Sequence, residues 1–265
     1  MERRSVRRMG RVTHEAEGLS YGSYLHLPEL LSLQQLRSDP SAHDELLFIV
    51  VHQAYELWFK QLLFELQSAR DLMFSRHVAR TVHLLRRAHE IERLLIEQVS
   101  VLETMSPQDF LEFRSNLSPA SGFQSVQFRE IEFVSGLKDE RIAKDLGEDD
   151  EERGRLRRRL GEPTLWDAFC DLLMANDLPM PPDDTDTRRD SLNEMARRHP
   201  DLFALSEALL THDELFALWR LRHVLMVERQ IGSKTGTGGS SGASYLRSTL
   251  DRRFFPDLWE LRSTL

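Results

Sequence analysis

Cysteine is nearly missing from the sequence. Its single copy, Cys170 among 265 residues, rules out an internal disulfide, a thiolate zinc site and a CxxCH haem attachment, and such usage is expected in a reducing cytoplasm. Long apolar runs are missing too, since nowhere do about 18 consecutive apolar residues occur, the length a membrane-spanning helix needs. Arg3, Arg4, Arg7, Arg8 and Arg11 are followed by no apolar stretch, so residues 1–18 read as a basic, disordered tail rather than a secretory leader. A basic surface is also lacking, because 35 Lys and Arg against 43 Asp and Glu leave a net charge of -8. That balance argues against nucleic acid or an anionic membrane as a partner.

What is present is 40% hydrophobic residues, enough for a sizeable core, with helical spacing almost throughout. The expectation is an all-α chain with residues 19–265 as a single helical domain. Four helix starts show a hydroxyl three residues before a carboxylate: Ser41 with Asp44, Ser106 with Asp109, Thr164 with Asp167 and Thr211 with Glu214. The stretch from Asp44 to about Phe74 is apolar on more than one side (Leu47, Val51, Leu57, Trp58, Leu62, Leu66) and predicts a central buried helix. Residues 78–102 carry one stripe, Leu84, Ala88, Ile91, Leu95, Val99 and Leu102. Shorter helices are predicted over 107–117 and 123–134, the second ended by Gly136. The densely charged 139–160 predicts a solvated helix, and 178–190, with three prolines among aspartates, an exposed connection. A last long helix is expected from His212 to about Arg229. Five glycines within 232–242 then mark a polar loop, and a short helix over 256–261 closes the chain.

Ten histidines invite a search for metal sites, and most patterns fail on spacing. His77, His83 and His89 recur every six residues, a rotation of about 240° on a helix, so they cannot share an ion and are expected at the surface. Neither HExxH nor Glu-x-x-His occurs. Two histidines remain on apolar helix faces: His52 with Phe48, Tyr55 and Phe59, and His223 with Phe216, Trp219, Met226 and Val227. Each is either a core histidine or a ligand. Arg114 shares a face with Phe110, Phe113 and Leu117, and such a guanidinium either closes an internal salt bridge or grips an anionic ligand. Together these features suggest a flat apolar cofactor held by one axial histidine, beside a pocket for an aromatic carboxylate.

Four stretches carry a resemblance: LSYGSYLHL over 19–27, LFIVVHQAYELWFK over 47–60, FLEFRSNLSPASGFQS over 110–125, and Arg222-His223 through GSKTGTGGSSG over 232–242. In them the chain resembles the bacterial tryptophan 2,3-dioxygenase family, in order from about residue 18 to 265, with only loose similarity over 139–210. The resemblance implies a helical bundle around noncovalent haem b, ferrous when active, with a Gly-rich C-terminal loop over the substrate site. It implies a cytoplasmic homotetrameric oxidoreductase of the kynurenine pathway, using O2 to open the indole ring of L-tryptophan to N-formyl-L-kynurenine. By the same resemblance His223 is the axial haem-iron ligand and His52 lies near the indole nitrogen, as base or as orienting partner. Arg114 is implied to grip the substrate carboxylate and Thr237 to contact the amino-acid end. Phe48, Phe110, Phe113 and Leu117 are implied to form the indole pocket, with Ala120 and Ser121 near the haem edge. Tyr21 and Tyr24 would reach a neighbouring subunit's site. The competing class is a noncatalytic helical sensor that binds haem or tryptophan.

Overall fold

The computed structural model describes residues 19–145, 150–237 and 242–265, and among the described residues all regular structure is helical. The expected tail, residues 1–18, lies outside them. The chain divides into two compact units, residues 1–36 and 37–265. In the first, α1 (Tyr21–Tyr24) starts from a reciprocal Ser20–Ser23 capping box, and α2 (Leu27–Leu30) has Pro in its first turn. Tyr21 and Tyr24 are exposed there.

The second unit is built on three long helices: α3 (Glu45–Phe74), α4 (Val78–Leu102) and α11 (Pro200–Ile231). Both α3 and α11 pack along α4. Their facing sides meet in a core that includes Leu62, Leu66, Leu85 and Leu209, all fully buried. Around them lie α6 (Val126–Ser135) and α9 (Leu165–Met174) against α3, and α8 (Asp150–Gly161) against α6 and α7 (Glu140–Asp145). α10 (Thr185–Arg198) and α13 (Pro256–Leu261) pack on one another and on α11, and α5 (Pro107–Phe113) and α12 (Ala243–Arg247) also pack on α11. A smaller apolar cluster of Val51, Val99, Leu102, Met105, Phe113 and Met226 joins α3, α4, α5 and α11. The site lies beside it.

Two of the four expected caps form. Ser106 and Thr164 each accept from the backbone N–H three residues on, and Asp109 and Asp167 reach back reciprocally. Ser41 does not cap α3. Its start is held instead by Glu45, whose carboxylate accepts from the Arg37 N–H at 2.8 Å and the Ser38 N–H at 3.0 Å. Thr211 lies inside α11 and returns its hydroxyl to the Glu207 carbonyl at 2.8 Å. The helix begins at Pro200, because Pro suits a first turn and Leu202, Leu205 and Leu209 continue the buried face.

Other expectations are corrected by burial. The charged 139–160 region is two helices whose Ile142, Ala143 and Leu156 are buried, and Arg155 and Arg159 face the buried Glu130 rather than solvent. In the 178–190 connection Leu178 and Met180 are buried, and α10 already starts at Thr185, capped by Asp184. Of the three histidines spaced six apart, His77 and His83 are exposed as expected, whereas His89 is buried, its Nε2 2.9 Å from the Ala208 carbonyl.

Burial, reinforced by neighbouring His212, pushes the His89 imidazole down to about 4. The unfolded chain takes up this proton near pH 6.5 and the folded one only near 4, so stability falls as pH drops through that window. His89→Gln keeps a donor for Ala208 and removes the titration. Urea midpoints measured from pH 7 to pH 4 should therefore fall less steeply in the variant than in the wild type, and equal slopes would contradict the assignment.

Candidate functional site

A cavity of about 300 Å³ is lined by α3, α4, α5, α6, α11 and α12 with the segments between them. From α3 comes His52, whose ring centroid lies 4.0 Å from that of Phe48. Its Nδ1 is 2.7 Å from the Phe48 carbonyl. A carbonyl can only accept, so Nδ1 carries the hydrogen and Nε2 keeps the lone pair. Burial lowers the pKa of His52, outweighing the opposing pull of that carbonyl and of Glu56.

From α11 comes His223, stacked on Trp219 one turn back, with centroids 5.2 Å apart and planes 5° from parallel. Among the described residues no hydrogen bond reaches either of its ring nitrogens. Burial pushes its pKa down to about 4, and His52 acts in the same direction. Both imidazoles line the same cavity and both are neutral at pH 7. His223 therefore offers an uncommitted nitrogen lone pair, as a metal ligand must.

The polar end is formed by α5 and the glycine loop. Arg114 opens the 3₁₀ turn after α5, and its Nη2 donates to the Thr235 carbonyl at 2.5 Å, while its Nε is buried without a partner. Among the described residues no carboxylate pairs with it. The Thr237 hydroxyl donates to the Ala120 carbonyl at 2.7 Å, leaving its oxygen free to accept. Gly232 and Gly242 bracket this loop at φ 60° and 63°. A Cβ on Gly242 would stand 2.6 Å from the Lys234 carbonyl oxygen, so only glycine fits. Gly238 and Gly239 lie outside the described residues.

Of the residues singled out from sequence, Phe48, His52, Phe110, Arg114, Ser121, His223 and Thr237 line the cavity together. Phe48 and Phe110 stack at 5.8 Å. Phe113 is fully buried behind them, edge-on to both rings, and Leu117 packs in the same cluster without lining the cavity. Ala120 contributes its carbonyl. Tyr21 and Tyr24 belong to the first unit.

Sequence reasoning missed a buried charge cluster in the cavity wall. Glu132 accepts from Arg129 Nη1 at 2.7 Å and from Arg220 Nη2 at 2.8 Å, two guanidiniums on one carboxylate. The only signal available was spacing: Arg220 lies four residues after Phe216 and three before His223, close to the buried face of α11. It also missed Tyr245, Leu246 and Thr249, which α12 and the residues after it bring to the wall.

Among the described residues no three His, Cys, Asp or Glu side chains converge; on the cavity wall His52 and His223 each stand as single imidazoles. The fold is thus all-helical among the described residues, with a largely apolar cavity that holds two histidines and an arginine hydrogen-bonded to a backbone carbonyl. The sequence profile described as tryptophan 2,3-dioxygenase matches residues 6–170 and 193–265, and no cavity-lining residue falls in the interval it leaves out. A tryptophan 2,3-dioxygenase of Nocardioides sp. is 56% identical over 256 residues, covering 93% of this chain and 95% of that protein. Those of Herpetosiphon aurantiacus and Serratia proteamaculans are 46% and 40% identical, covering 94% and 96% of this chain and 100% and 96% of their own. The chain belongs to the tryptophan 2,3-dioxygenase family.

The loop geometry is testable on its own. Gly242→Ala combines positive φ with a clash and should cost about 1–3 kcal/mol locally, raising amide exchange across 232–247 at least severalfold. Gly161→Ala meets nothing within 4 Å and should leave exchange there unchanged. Equal protection in both variants would show that the loop does not depend on this glycine.

Proposed function

We propose that the chain catalyses the reaction its relatives are named for: with O2 it opens the indole ring of L-tryptophan to N-formyl-L-kynurenine, both oxygen atoms entering the product. The observation that carries this reading is the pair of neutral imidazoles on one apolar cavity beside an arginine without an acidic partner. Haem b suits these residues. His223 would hold its iron, and the apolar walls from Phe48, Val99, Leu102 and Val227 suit its ring. Two buried guanidiniums on one carboxylate leave a positive charge for its acidic side chains. When bound in the ferrous state, the group supplies the site and the electrons that activate O2.

The remaining work falls to this chain's own side chains. His52 presents a lone pair on Nε2, which accepts the indole N–H and fixes which edge of the ring points inward. Phe48 and Phe110 hold the indole faces. Arg114 meets the substrate carboxylate with its planar fork, exchanging the Thr235 carbonyl for a charged partner. Thr237, with its hydrogen already given to Ala120, offers its oxygen to the ammonium. Apolar walls keep water from the reacting centre, and the Gly-rich loop closes over the substrate.

Assembly and location belong to the same reading. Exposed Leu57 and Phe64 on α3 and Leu218 and Leu225 on α11 suit a homotetramer, in which Tyr21 and Tyr24 reach a neighbouring site. No helix among the described residues is long and apolar enough to cross a membrane, and the single cysteine suits the cytoplasm.

Anaerobic reduction of the haem-loaded protein, followed by L-tryptophan and O2, should give the absorbance of N-formylkynurenine. Haem and tryptophan bound without product would favour the sensor reading instead. Arg114→Ala should lower kcat/KM for L-tryptophan by about 2 kcal/mol or more, roughly thirtyfold. For a 3-substituted indole lacking the carboxylate the variant should match the wild type. Equal losses on both substrates would assign Arg114 a structural part only.

A further inference from the structure

A metal-bound histidine normally gives its second N–H to a carboxylate, carbonyl or water, and that bond fixes the ring's orientation. His223 has no such protein acceptor among the described residues. What lies against it is an aromatic face. The Trp219 indole is parallel to the imidazole within 5°, at a centroid distance of 5.2 Å, an offset stack. Trp219 is itself held on several sides: Phe128 at 5.2 Å, Phe216 at 6.0 Å, Phe59 and Tyr55 each at 6.2 Å, the last two edge-on. Tyr55 is in turn anchored across the helix pair by donating its hydroxyl to the Leu95 carbonyl at 2.8 Å. A chain of contacts thus runs from the α4 backbone through Tyr55 and Trp219 to the plane of His223.

We infer that Trp219 is a positioning residue for His223, setting the rotation of the imidazole plane by stacking where a hydrogen-bond acceptor usually does so. The inference rests on the haem reading above. It has a chemical consequence. A π face takes no proton from the ring, so His223 meets the iron as a neutral imidazole rather than one with imidazolate character, which favours the ferrous form.

The stack makes two properties depend on Trp219: how firmly haem is held, and how the imidazole plane is oriented. Haem loss from the loaded protein to excess apomyoglobin measures the first. The g-value spread of the ferric cyanide complex measures the second, because it follows the orientation of the axial ligand plane. Trp219→Leu should lose haem about tenfold faster and shift the g-values, and Trp219→Phe, which keeps a stacking face, should recover most of both. Phe169→Leu opens a void in the same core, where the ring packs on Trp166 and makes no ring contact with Trp219 or His223, so it should lower Tm and leave the g-values alone.

Wild-type haem retention and g-values in Trp219→Leu would overturn the inference. So would a Phe169→Leu variant that shifts the g-values as much, since general loosening of the core would then explain both. A wild-type protein that takes up no haem would overturn the cofactor reading, a separate outcome from either of these.

Discussion

Dehydration of two imidazoles governs how the second unit is put together. A histidine surrounded by water titrates near 6.5, and protonated nitrogen is neither a metal ligand nor a hydrogen-bond acceptor. His223 is held neutral because burial takes it to about 4, and burial lowers His52 as well. Both rings are half-buried and line the cavity, so the lowering depends on its apolar walls. The longest helices supply them: α3 and α11 carry the histidines, both packed along α4, so that each ring faces inward from a rigid cylinder and not from a loop. The aromatic cage of Phe59, Phe128, Phe216 and Trp219 extends the same dry environment below His223.

Charge is admitted to this interior only in compensated form. Arg129 and Arg220 share Glu132, Asp213 accepts from the Phe254 and Phe255 N–H groups and the Trp259 indole, and His212 lies between Glu92 and Ser135 at 2.6 and 2.8 Å. Arg114 departs from the pattern. Among the described residues it donates to a neutral carbonyl, a weak match for a guanidinium, and a bound carboxylate would complete it. The contrast is one of partner: Arg129 and Arg220 meet a carboxylate, whereas among the described residues Arg114 meets a neutral carbonyl.

Much of this was legible in the sequence, and the physical reason is clear in each case. The one-sided stripe of α4 and the many-sided apolar run of α3 gave their limits within a residue, because long amphipathic periodicity is a strong signal. The Ser106 and Thr164 boxes formed as written. Thr211 misled because a Thr inside a helix can bond back to the preceding turn as readily as it can cap. Residues 139–160 and 178–190 were read as solvated from their charge, yet Ile142, Leu156 and Met180 are core residues. Composition averages over faces that folding separates. At the site, His52, His223 and Arg114 stood out because a polar group on an apolar face is conspicuous. Arg129, Glu132 and Arg220 did not, because their mutual pairing exists only once α6 and α11 are side by side.

The proposed function divides labour between two histidines: His223 would bind iron, and His52 would face the substrate without binding iron. Replacing each by glycine removes the imidazole and leaves a cavity that free imidazole can enter. Haem uptake, followed by the Soret band with and without added imidazole, reads the difference directly. His223→Gly should bind haem weakly alone and regain it when imidazole is supplied, whereas His52→Gly should bind haem in both conditions. Imidazole-dependent uptake in His52→Gly, with undiminished uptake in His223→Gly, would contradict the account.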